Sequence, residues 1–215
     1  MIVAIDGPCG SGKGTVAKKL EERLNLVNID TGATYRCVAL SALNNNIDIS
    51  DEMKIIDISN DIDIKFKDHK VYLNGEDVTK RIRDNDVTAI VSPVSKIIKV
   101  RENMVKLQRK LASTSDVVLE GRDITTVVFP NADFKFYLDA TLEERVNRRL
   151  KQNEELGIAS NYDDLYKNMA ERDYNDMHKP VGSLMRTDDQ IYIDSTNISI
   201  DEVVDKMVDI IKGEN

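Results

Sequence analysis

Cysteine and histidine are scarce in this sequence, and their scarcity excludes two kinds of site. The chain of 215 residues contains two cysteines, Cys9 and Cys37, and their spacing matches neither a disulfide framework nor a metal-binding motif. It also contains two histidines, His69 and His178, too few for the usual ligand sets of zinc. We therefore expect neither a disulfide framework nor a zinc site.

Long hydrophobic runs and an excess of basic residues are also absent. No apolar run approaches the ~20 residues that a membrane span needs, and no basic segment or small-residue cleavage site surrounds the apolar start at Ile2. The formal net charge of −8 argues against nucleic acid or an acidic membrane as a partner. The absent leader and membrane span predict a cytoplasmic protein, and we also expect a monomer. The net charge does not argue against an anionic small substrate, because local arginine clusters decide that.

Short apolar segments alternate with amphipathic ones, which is typical of an α/β fold with a mainly parallel sheet. The candidate strands are residues 2–6, 26–30, 116–120, 133–138 and 190–194. The candidate helices are residues 13–24, 33–43 and 87–111 (with a break near Pro93), a helix through Leu142, Val146 and Leu150 capped by Thr141, a helix through Tyr162, Leu165 and Met169, and a last helix from Ile200 to Gly213. No repeat or linker divides the chain, so we expect a single domain over residues 1–215.

One segment, residues 61–83, interrupts this alternation. Residues 62–66 and 71–73 alternate between polar and apolar side chains, a polar turn at 67–70 joins them, and Asn74-Gly75 follows as a second turn signal. The pattern predicts a small β-rich insert. The sequence leaves two interpretations open, a surface hairpin that decorates the sheet or a lobe that closes over a substrate.

A glycine-rich run lies between the first predicted strand and the first predicted helix. Glycines there allow backbone N–H groups to point inwards around phosphate oxygens, and the helix N-terminus adds partial positive charge. Lys13 can reach the β- and γ-phosphates of a nucleotide. The hydroxyl for a Mg²⁺ ion comes at Thr15, because Gly14 directly follows the lysine. The predicted ATP-binding residues are Gly7, Pro8, Cys9, Gly10, Ser11, Gly12, Lys13, Gly14 and Thr15.

A phosphate loop alone predicts a nucleoside-triphosphate site and not a function. The Asn-Lys-x-Asp sequence by which GTPases read guanine is absent. Arg122 follows the third parallel strand, and an arginine there indicates a second bound anion rather than a hydrolytic water. Arg36 follows the second strand, and ligands bind at this end of an open α/β sheet. Arg145, Arg148 and Arg149 are spaced to share one helix face. This supply of cations favours a kinase over a switch or a motor.

At this point the residues resemble those of the bacterial cytidylate kinases, over nearly the whole chain. The matching motifs are Ile-Asp-Gly-Pro at 5–8 with Gly-Lys-Gly-Thr at 12–15, Asp-Thr-Gly-Ala-Thr-Tyr-Arg at 30–36, Leu-Asn-Gly-Glu-Asp-Val-Thr at 73–79, Gly-Arg-Asp at 121–123, Tyr-Leu-Asp-Ala at 137–140, Glu-Arg-Asp at 171–173 and Asp-Ser-Thr at 194–196. The motif at 73–79 is the most specific, because other nucleoside monophosphate kinases lack this insert. The resemblance implies a P-loop kinase with an acceptor lobe and a mobile lid at about residues 150–160, using ATP and Mg²⁺ to phosphorylate CMP or dCMP.

The resemblance also implies roles for individual residues. The implied catalytic residues are Lys13, Arg122, Arg148 and Arg149, and Thr15 is the implied ligand of Mg²⁺. The implied substrate-binding residues are Thr31, Arg101 and Asp123 at the cytosine, Ser92, Arg172 and Asp176 at the ribose, Arg36 and Arg122 at the acceptor phosphate, and Tyr35 and Lys179 beside them.

Three positions depart from the family pattern. Thr31 stands where serine is frequent, Glu120 where aspartate usually precedes Gly-Arg-Asp, and Lys179 where arginine is usual, which removes the forked geometry of a guanidinium. Two other functions stay open at this stage. One is a kinase of another small acceptor, and the other is a non-catalytic P-loop module that binds nucleotide and regulates a partner. The arginines argue against the module, because a switch needs no second anion site.

Overall fold

The protein is described by a computed structural model that covers residues 1–213 and divides the chain into two compact units. The first unit comprises Met1–Leu26 and the chain from Val118 onwards, and the second comprises Val27–Val117. Within residues 1–213, no helix is both long enough and apolar enough to cross a membrane.

The elements alternate along the chain much as the hydrophobic pattern predicts. In order they are β1 Ile2–Asp6, α1 Lys13–Leu24, β2 Val27–Asp30, α2 Thr31–Asn44, α3 Glu52–Asp61, β3 Ile64–Lys67, β4 Lys70–Leu73, β5 Glu76–Asp77, a 3₁₀ turn Arg81–Arg83, α4 Asn85–Lys96, α5 Ile98–Leu111, β6 Val117–Gly121, a π-helical turn Ile124–Val128, β7 Phe134–Asp139, α6 Leu142–Glu155, α7 Tyr162–Met177, β8 Ile191–Asp194 and α8 Ile200–Lys212.

The first unit is built on strands of a parallel sheet. Its strands lie in the order β6-β1-β7-β8, and β7 pairs in parallel with both β1 and β8, with Ile5 opposite Phe136 and Phe136 opposite Ile191. Apolar side chains of β1 and β7 pack with those of α1 and α8, including Leu20 and Met207, in one core. Burial of these short apolar strands explains why they read as continuous hydrophobic runs. The predicted α/β fold with a parallel sheet is confirmed.

The second unit begins with β2 and combines four helices with a small antiparallel sheet in the order β3-β4-β5. Two tight turns shape the sheet. Asp68 and His69 both have positive φ, 52° and 59°, and Asn74 and Gly75 have φ of 51° and 88°. Two successive residues with positive φ are the mark of the type I′ hairpin turn, which fits the right-handed twist of the strands. The predicted β-rich hairpin and its Asn-Gly turn are therefore present.

Capping residues explain where several helices begin and end. Thr141 accepts a hydrogen bond from the backbone N–H of Glu144, which confirms it as the N-cap of α6, and Gly213, with φ of 71°, ends α8. Helix α2 begins at Thr31, two residues before the predicted start, because the Asp30 carboxylate accepts the N–H of Ala33 over 3.0 Å.

The predicted break of the long helix near Pro93 is wrong in its position. Pro93 lies inside α4, and the helix continues to Lys96. The break falls at Ile97, whose extended backbone (φ −68°, ψ 113°) ends α4 and begins α5. Pro93 removes one internal hydrogen bond of the helix, and α4 tolerates this loss. The chain turns where the side chain of Ile97 becomes buried, a packing requirement that local sequence does not reveal.

Candidate active site

The glycine-rich loop joins β1 to the first turn of α1. Gly7 cannot be replaced without a shift of the backbone, because a Cβ atom there would lie 2.0 Å from the carbonyl oxygen of Leu138. Gly12 has φ of 94° and directly precedes α1, so the N-terminus of the helix opens into the loop. Backbone N–H groups and the helix dipole together make this a site for an anion. The structure thus gives the predicted phosphate loop the strand, turn and helix that it requires.

Lys13 is buried in this loop. Its ammonium nitrogen donates hydrogen bonds to the carbonyl oxygen of Pro8 over 2.7 Å and to the hydroxyl of Ser11 over 3.3 Å. Burial, together with the positive charge of Arg122, lowers the pKa of Lys13 to about 7, although the carboxylate of Glu120 opposes the shift. Because burial destabilises the charged form of Lys13, a bound polyanion such as a triphosphate would stabilise that charge strongly.

Asp6, at the end of β1, is completely buried beside the loop. Its carboxylate accepts the N–H groups of Ile124 and Thr125, at 2.9 and 2.8 Å, and the hydroxyl of Thr125 at 2.6 Å. Burial raises the pKa of Asp6, and these hydrogen bonds oppose the rise. Asp6 therefore fixes the π-helical turn that follows Arg122 and Asp123. Asp6 was not among the predicted site residues, although an aspartate at the end of a strand before a phosphate loop is a visible local signal.

Arg122 and Lys179 share one carboxylate, that of Asp176. The Arg122 Nε lies 2.7 Å from Oδ2 of Asp176, and the Lys179 Nζ lies 2.5 Å from Oδ1. Burial works to raise the pKa of Asp176, but the attraction of Arg122 and then of Lys179 outweighs it and the pKa is lowered. Two cations on one anion leave a net positive charge, so the cluster suits a further anion. The structure brings these three predicted residues together.

The three arginines predicted on one face of α6 have different surroundings. Arg145 is buried and forms an ion pair of 2.6 Å with Asp173. Arg148 is half-buried and bonds Glu144 and both oxygens of Ser195. Arg149 is exposed and reaches Gln152 over 2.9 Å. Helical spacing predicted that the three arginines lie on one helix, but it did not predict how deeply each side chain is buried. Arg172, on α7, is exposed.

The remaining predicted residues except Asp123 lie in the second unit. Thr31 is the first residue of α2 and is buried. The buried guanidinium of Arg101 lies over the ring of Tyr35, with 5.6 Å between the guanidinium carbon and the ring centroid. Arg36 donates to the carbonyl oxygen of Ile82 over 3.1 Å and to the hydroxyl of Thr88 over 2.8 Å. Ser92 is exposed on α4.

A buried chain of hydrogen bonds lies behind Thr31, and its members Thr34 and Gln108 were not among the predicted site residues. The amide of Gln108 donates to the hydroxyl of Thr34 over 2.9 Å, and that hydroxyl donates to the carbonyl oxygen of Thr31 over 2.7 Å. Gln108 lies on α5, far from Thr31 in the sequence, so only the fold shows that α5 restrains the first turn of α2. No local pattern could have found this contact.

Comparisons with known proteins agree over nearly the full length of the chain. The cytidylate kinase family model matches residues 3–213. Among curated proteins, the cytidylate kinase of Caldicellulosiruptor bescii is 46% identical over 212 residues, covering 97% of this chain and 94% of its own. The cytidylate kinase of Clostridioides difficile is 41% identical over 208 residues, covering 97% of this chain and 96% of its own.

Solved structures with low sequence identity share the fold. An uncharacterised protein from Eubacterium ventriosum aligns with a TM-score of 0.55 at 14% identity, covering 99% of this chain and 98% of its own. The shikimate kinase of Bacteroides thetaiotaomicron aligns with a TM-score of 0.50 at 12% identity, with the same coverage. These two likenesses support the predicted P-loop kinase fold and nothing finer. Since the family match extends over almost all of the sequence, the chain belongs to the cytidylate kinase family.

Proposed function

We propose that this chain transfers the γ-phosphoryl group of ATP to CMP or dCMP, giving ADP and CDP or dCDP. One observation carries the proposal: the first unit contains both a phosphate loop and a second cationic cluster. The chain that contains them belongs to the cytidylate kinase family. Lys13 belongs to the loop, and Arg122 and Lys179 form the cluster around Asp176. Phosphoryl transfer requires positive groups for both the donor chain and the acceptor phosphate.

The donor side is the loop of residues 7–15. Its N–H groups and the start of α1 would bind the phosphates of ATP, with Lys13 at the β- and γ-phosphates. The pKa of Lys13, lowered by burial to about 7, would rise again beside these anions. The acceptor phosphate is already an anion at neutral pH, so no general base is needed, and the protein acts by positioning and by charge stabilisation.

Mg²⁺ is expected to accompany ATP, and the residues present fit such an ion. Among residues 1–213 there is no cluster of three or more metal-ligating His, Cys, Asp or Glu side chains, which suits an ion held largely by phosphates and water. Thr15 is exposed in the first turn of α1 and would supply its hydroxyl. The Glu120 carboxylate lies near the same turn, 3.6 Å from where a Cβ of Gly14 would be. An ion held beside Thr15 would supply positive charge to the phosphates of ATP.

The acceptor residues are assigned by their match to the family motifs. Arg122 and Arg36 would bind the phosphate of CMP, supported by Tyr35 and Lys179. The cytosine would contact Thr31, Arg101 and Asp123, and the ribose would contact Ser92, Arg172 and Asp176. In support, Arg122, Asp176 and Lys179 form one cluster, and Arg101 is buried against Tyr35. We further propose that residues 61–83 form the acceptor lobe.

The segment at residues 150–160 is our proposed lid. Helix α6 extends into this segment and ends at Glu155, and Gly157 follows with φ of 68°. The side chains of Leu156 and Ile158 are exposed, with 65% and 52% of their surface accessible. Exposed apolar side chains beside a glycine suit a segment that gains contacts when it closes. Arg148 and Arg149, on the helix that leads into this segment, would then meet the transferring phosphoryl group. The expectations of a monomer and a cytoplasmic location stay proposals.

A coupled assay of ADP release over CMP, dCMP, UMP, AMP and GMP tests the function. We expect CMP and dCMP to be phosphorylated with the highest kcat/KM. Loss of turnover in Lys13→Met would show that the signal comes from this chain and not from a contaminating kinase. Efficient turnover of a different acceptor, with none of CMP or dCMP, would instead support a kinase of another small molecule. Nucleotide binding without transfer to any acceptor would support the regulatory module.

A further inference from the structure

One residue of the phosphate loop, Cys9, has both of its backbone hydrogen-bonding groups bound by a buried ion pair. The carbonyl oxygen of Cys9 accepts a hydrogen bond of 2.8 Å from Nη1 of Arg145. The backbone N–H of Cys9 donates over 3.2 Å to Oδ1 of Asp173. Arg145 and Asp173 are themselves paired at 2.6 Å, and both are buried. The pair therefore occupies the two hydrogen-bonding groups of the same loop residue.

The two partners come from different helices. Arg145 lies on α6, where its Nε also donates to the carbonyl oxygen of Ala140 over 2.9 Å, which fixes the plane of the guanidinium. Asp173 lies on α7. The loop is also packed against both helices, because a Cβ atom at Gly10 would lie 2.7 Å from the methyl carbon of Met169 and 3.3 Å from the Cβ of Arg145. Both helices that flank residues 156–161 thus contact the same part of the loop.

From these contacts we propose that Arg145 and Asp173 are positioning residues for the nucleotide donor. By bonding the backbone N–H and C=O of Cys9, they fix the direction of its carbonyl dipole. The carbonyl oxygen is then kept away from bound phosphate oxygens, which it would repel. The pair carries no net charge and its groups are already bonded to the loop, so it acts through the loop and not by direct attraction of phosphate. The proposal rests on the ATP-binding role given to the loop above.

The pair could instead serve only to stabilise the fold, and two kinds of substitution separate these roles. Removing one member leaves an uncompensated buried charge and destabilises the protein whatever its function. Replacing both members by apolar residues of similar size, Arg145→Met with Asp173→Leu, removes that charge. Such replacements often restore stability. The double variant would still lack both hydrogen bonds to Cys9, so it isolates the effect on the donor site.

The experiment measures ADP binding by isothermal titration, together with Tm and the KM values of both substrates. For the double variant we expect a Tm near that of the wild type, with the Kd for ADP and the KM for ATP raised at least ~10-fold, and the KM for CMP within about threefold of wild type. The matched control is Glu143→Leu with Lys167→Met, which removes one exposed charge of each sign from the same two helices. It should leave all four quantities unchanged.

Two results would overturn the proposal. One is a folded double variant that binds ADP within about threefold of the wild type, and the other is an equal rise of both KM values, which indicates general damage. If the double variant does not fold, Arg145→Lys replaces it. Lysine keeps the charge beside Asp173 but lacks the separate Nε and Nη1 donors that bond Ala140 and Cys9, so ADP binding should weaken at least ~3-fold, and unchanged binding overturns the proposal. A wild type that binds ADP but does not phosphorylate CMP would reject the proposed function and leave this inference standing.

Discussion

The ammonium group of Lys13 donates a 2.7 Å hydrogen bond to the carbonyl oxygen of Pro8, so the lysine is bound to the loop from which it projects. The bond holds the charge inside the loop, where phosphate oxygens would surround it. Lys13→Met should therefore lower kcat at least ~10²-fold, because a charge that stabilises the transferring phosphoryl group is lost. CMP binding should survive, since the acceptor contacts are unaltered.

The matched control for this variant is Lys18→Met. Lys18 lies on the same helix but is exposed, so its loss should leave kcat within about twofold of wild type. Single-turnover kinetics with saturating CMP would measure the chemical step directly. Full activity of Lys13→Met would refute the assignment of residues 7–15 as the donor site.

Local sequence sufficed for the elements that surround this loop. The strand β1 and the helix α1 were predicted with the bounds observed, because a buried apolar strand, a glycine-rich turn and an amphipathic helix each have their own local signal. Thr141 and Gly213 were identified as helix ends for the same reason. The predicted site residues of the loop follow directly from the sequence and need no tertiary information to be found.

The rest of the site depends on contacts between distant segments, and these carry no local signal. Arg145, Arg148 and Arg149 look alike in the sequence, yet one is buried in an ion pair, one bonds Ser195 and one is exposed. Asp173 reaches the loop only because α7 packs on α6. The break lies at Ile97, a buried residue with an extended backbone, and not at the proline that suggested it. Helical spacing shows which side chains share one face of a helix. It does not show which residues of other elements pack against that face.

Asp176 should make stability depend on pH. Attraction by Arg122 and Lys179 holds its pKa below the usual value of 3.8, despite burial that works to raise it. Because the folded-state pKa is lower than the unfolded one, the ionised group stabilises the fold above about pH 4, and this contribution is lost as the pH falls through the folded-state pKa. Asp176→Asn should reduce the free energy of unfolding by about 3 kcal/mol at neutral pH and by progressively less in acid.

Urea unfolding of the wild type and Asp176→Asn between about pH 3 and pH 7 would measure this difference. Asp188→Asn is the control, because Asp188 is exposed and its loss should cost less than about 0.5 kcal/mol at any pH. A gap between wild type and Asp176→Asn that does not narrow in acid would show that the carboxylate does not stabilise the fold through its charge.

Arg149 and Arg148 should differ in what their removal changes. Arg149 is exposed beside the proposed lid, so Arg149→Ala should lower kcat at least ~10-fold and leave Tm and the KM for CMP nearly unchanged, as expected for a contact made mainly in the transition state. Arg148→Ala should also lower Tm, because its guanidinium bonds Ser195 and Glu144. If Arg149→Ala altered the KM for CMP while kcat stayed intact, the lid assignment would be wrong.

Base selectivity is the sharpest test of the acceptor assignment. Cytosine presents an acceptor at N3 and a donor at N4, and uracil reverses both. Arg101 can only donate, so it satisfies cytosine N3 but meets an N–H in uracil. The Thr31 hydroxyl can accept a hydrogen bond from the amino group of cytosine, yet it can also rotate and donate one to O4 of uracil. Arg101 should therefore carry more of the discrimination, and two mispaired contacts at ~1–3 kcal/mol each predict a preference for CMP of roughly 10²-fold or more in kcat/KM.

The measurement is kcat/KM for CMP and UMP in the wild type, in Arg101→Met and in Thr31→Val. Arg101 is buried against Tyr35, and methionine keeps much of that packing, so a loss of selectivity in Arg101→Met would come from the lost donors. Wild-type values for CMP and UMP within about threefold, a gap under ~1 kcal/mol, would reject a dedicated cytosine reader. Strong selectivity that persists in Arg101→Met and falls in Thr31→Val would assign the reading to the first turn of α2, where Thr34 and Gln108 restrain the Thr31 backbone.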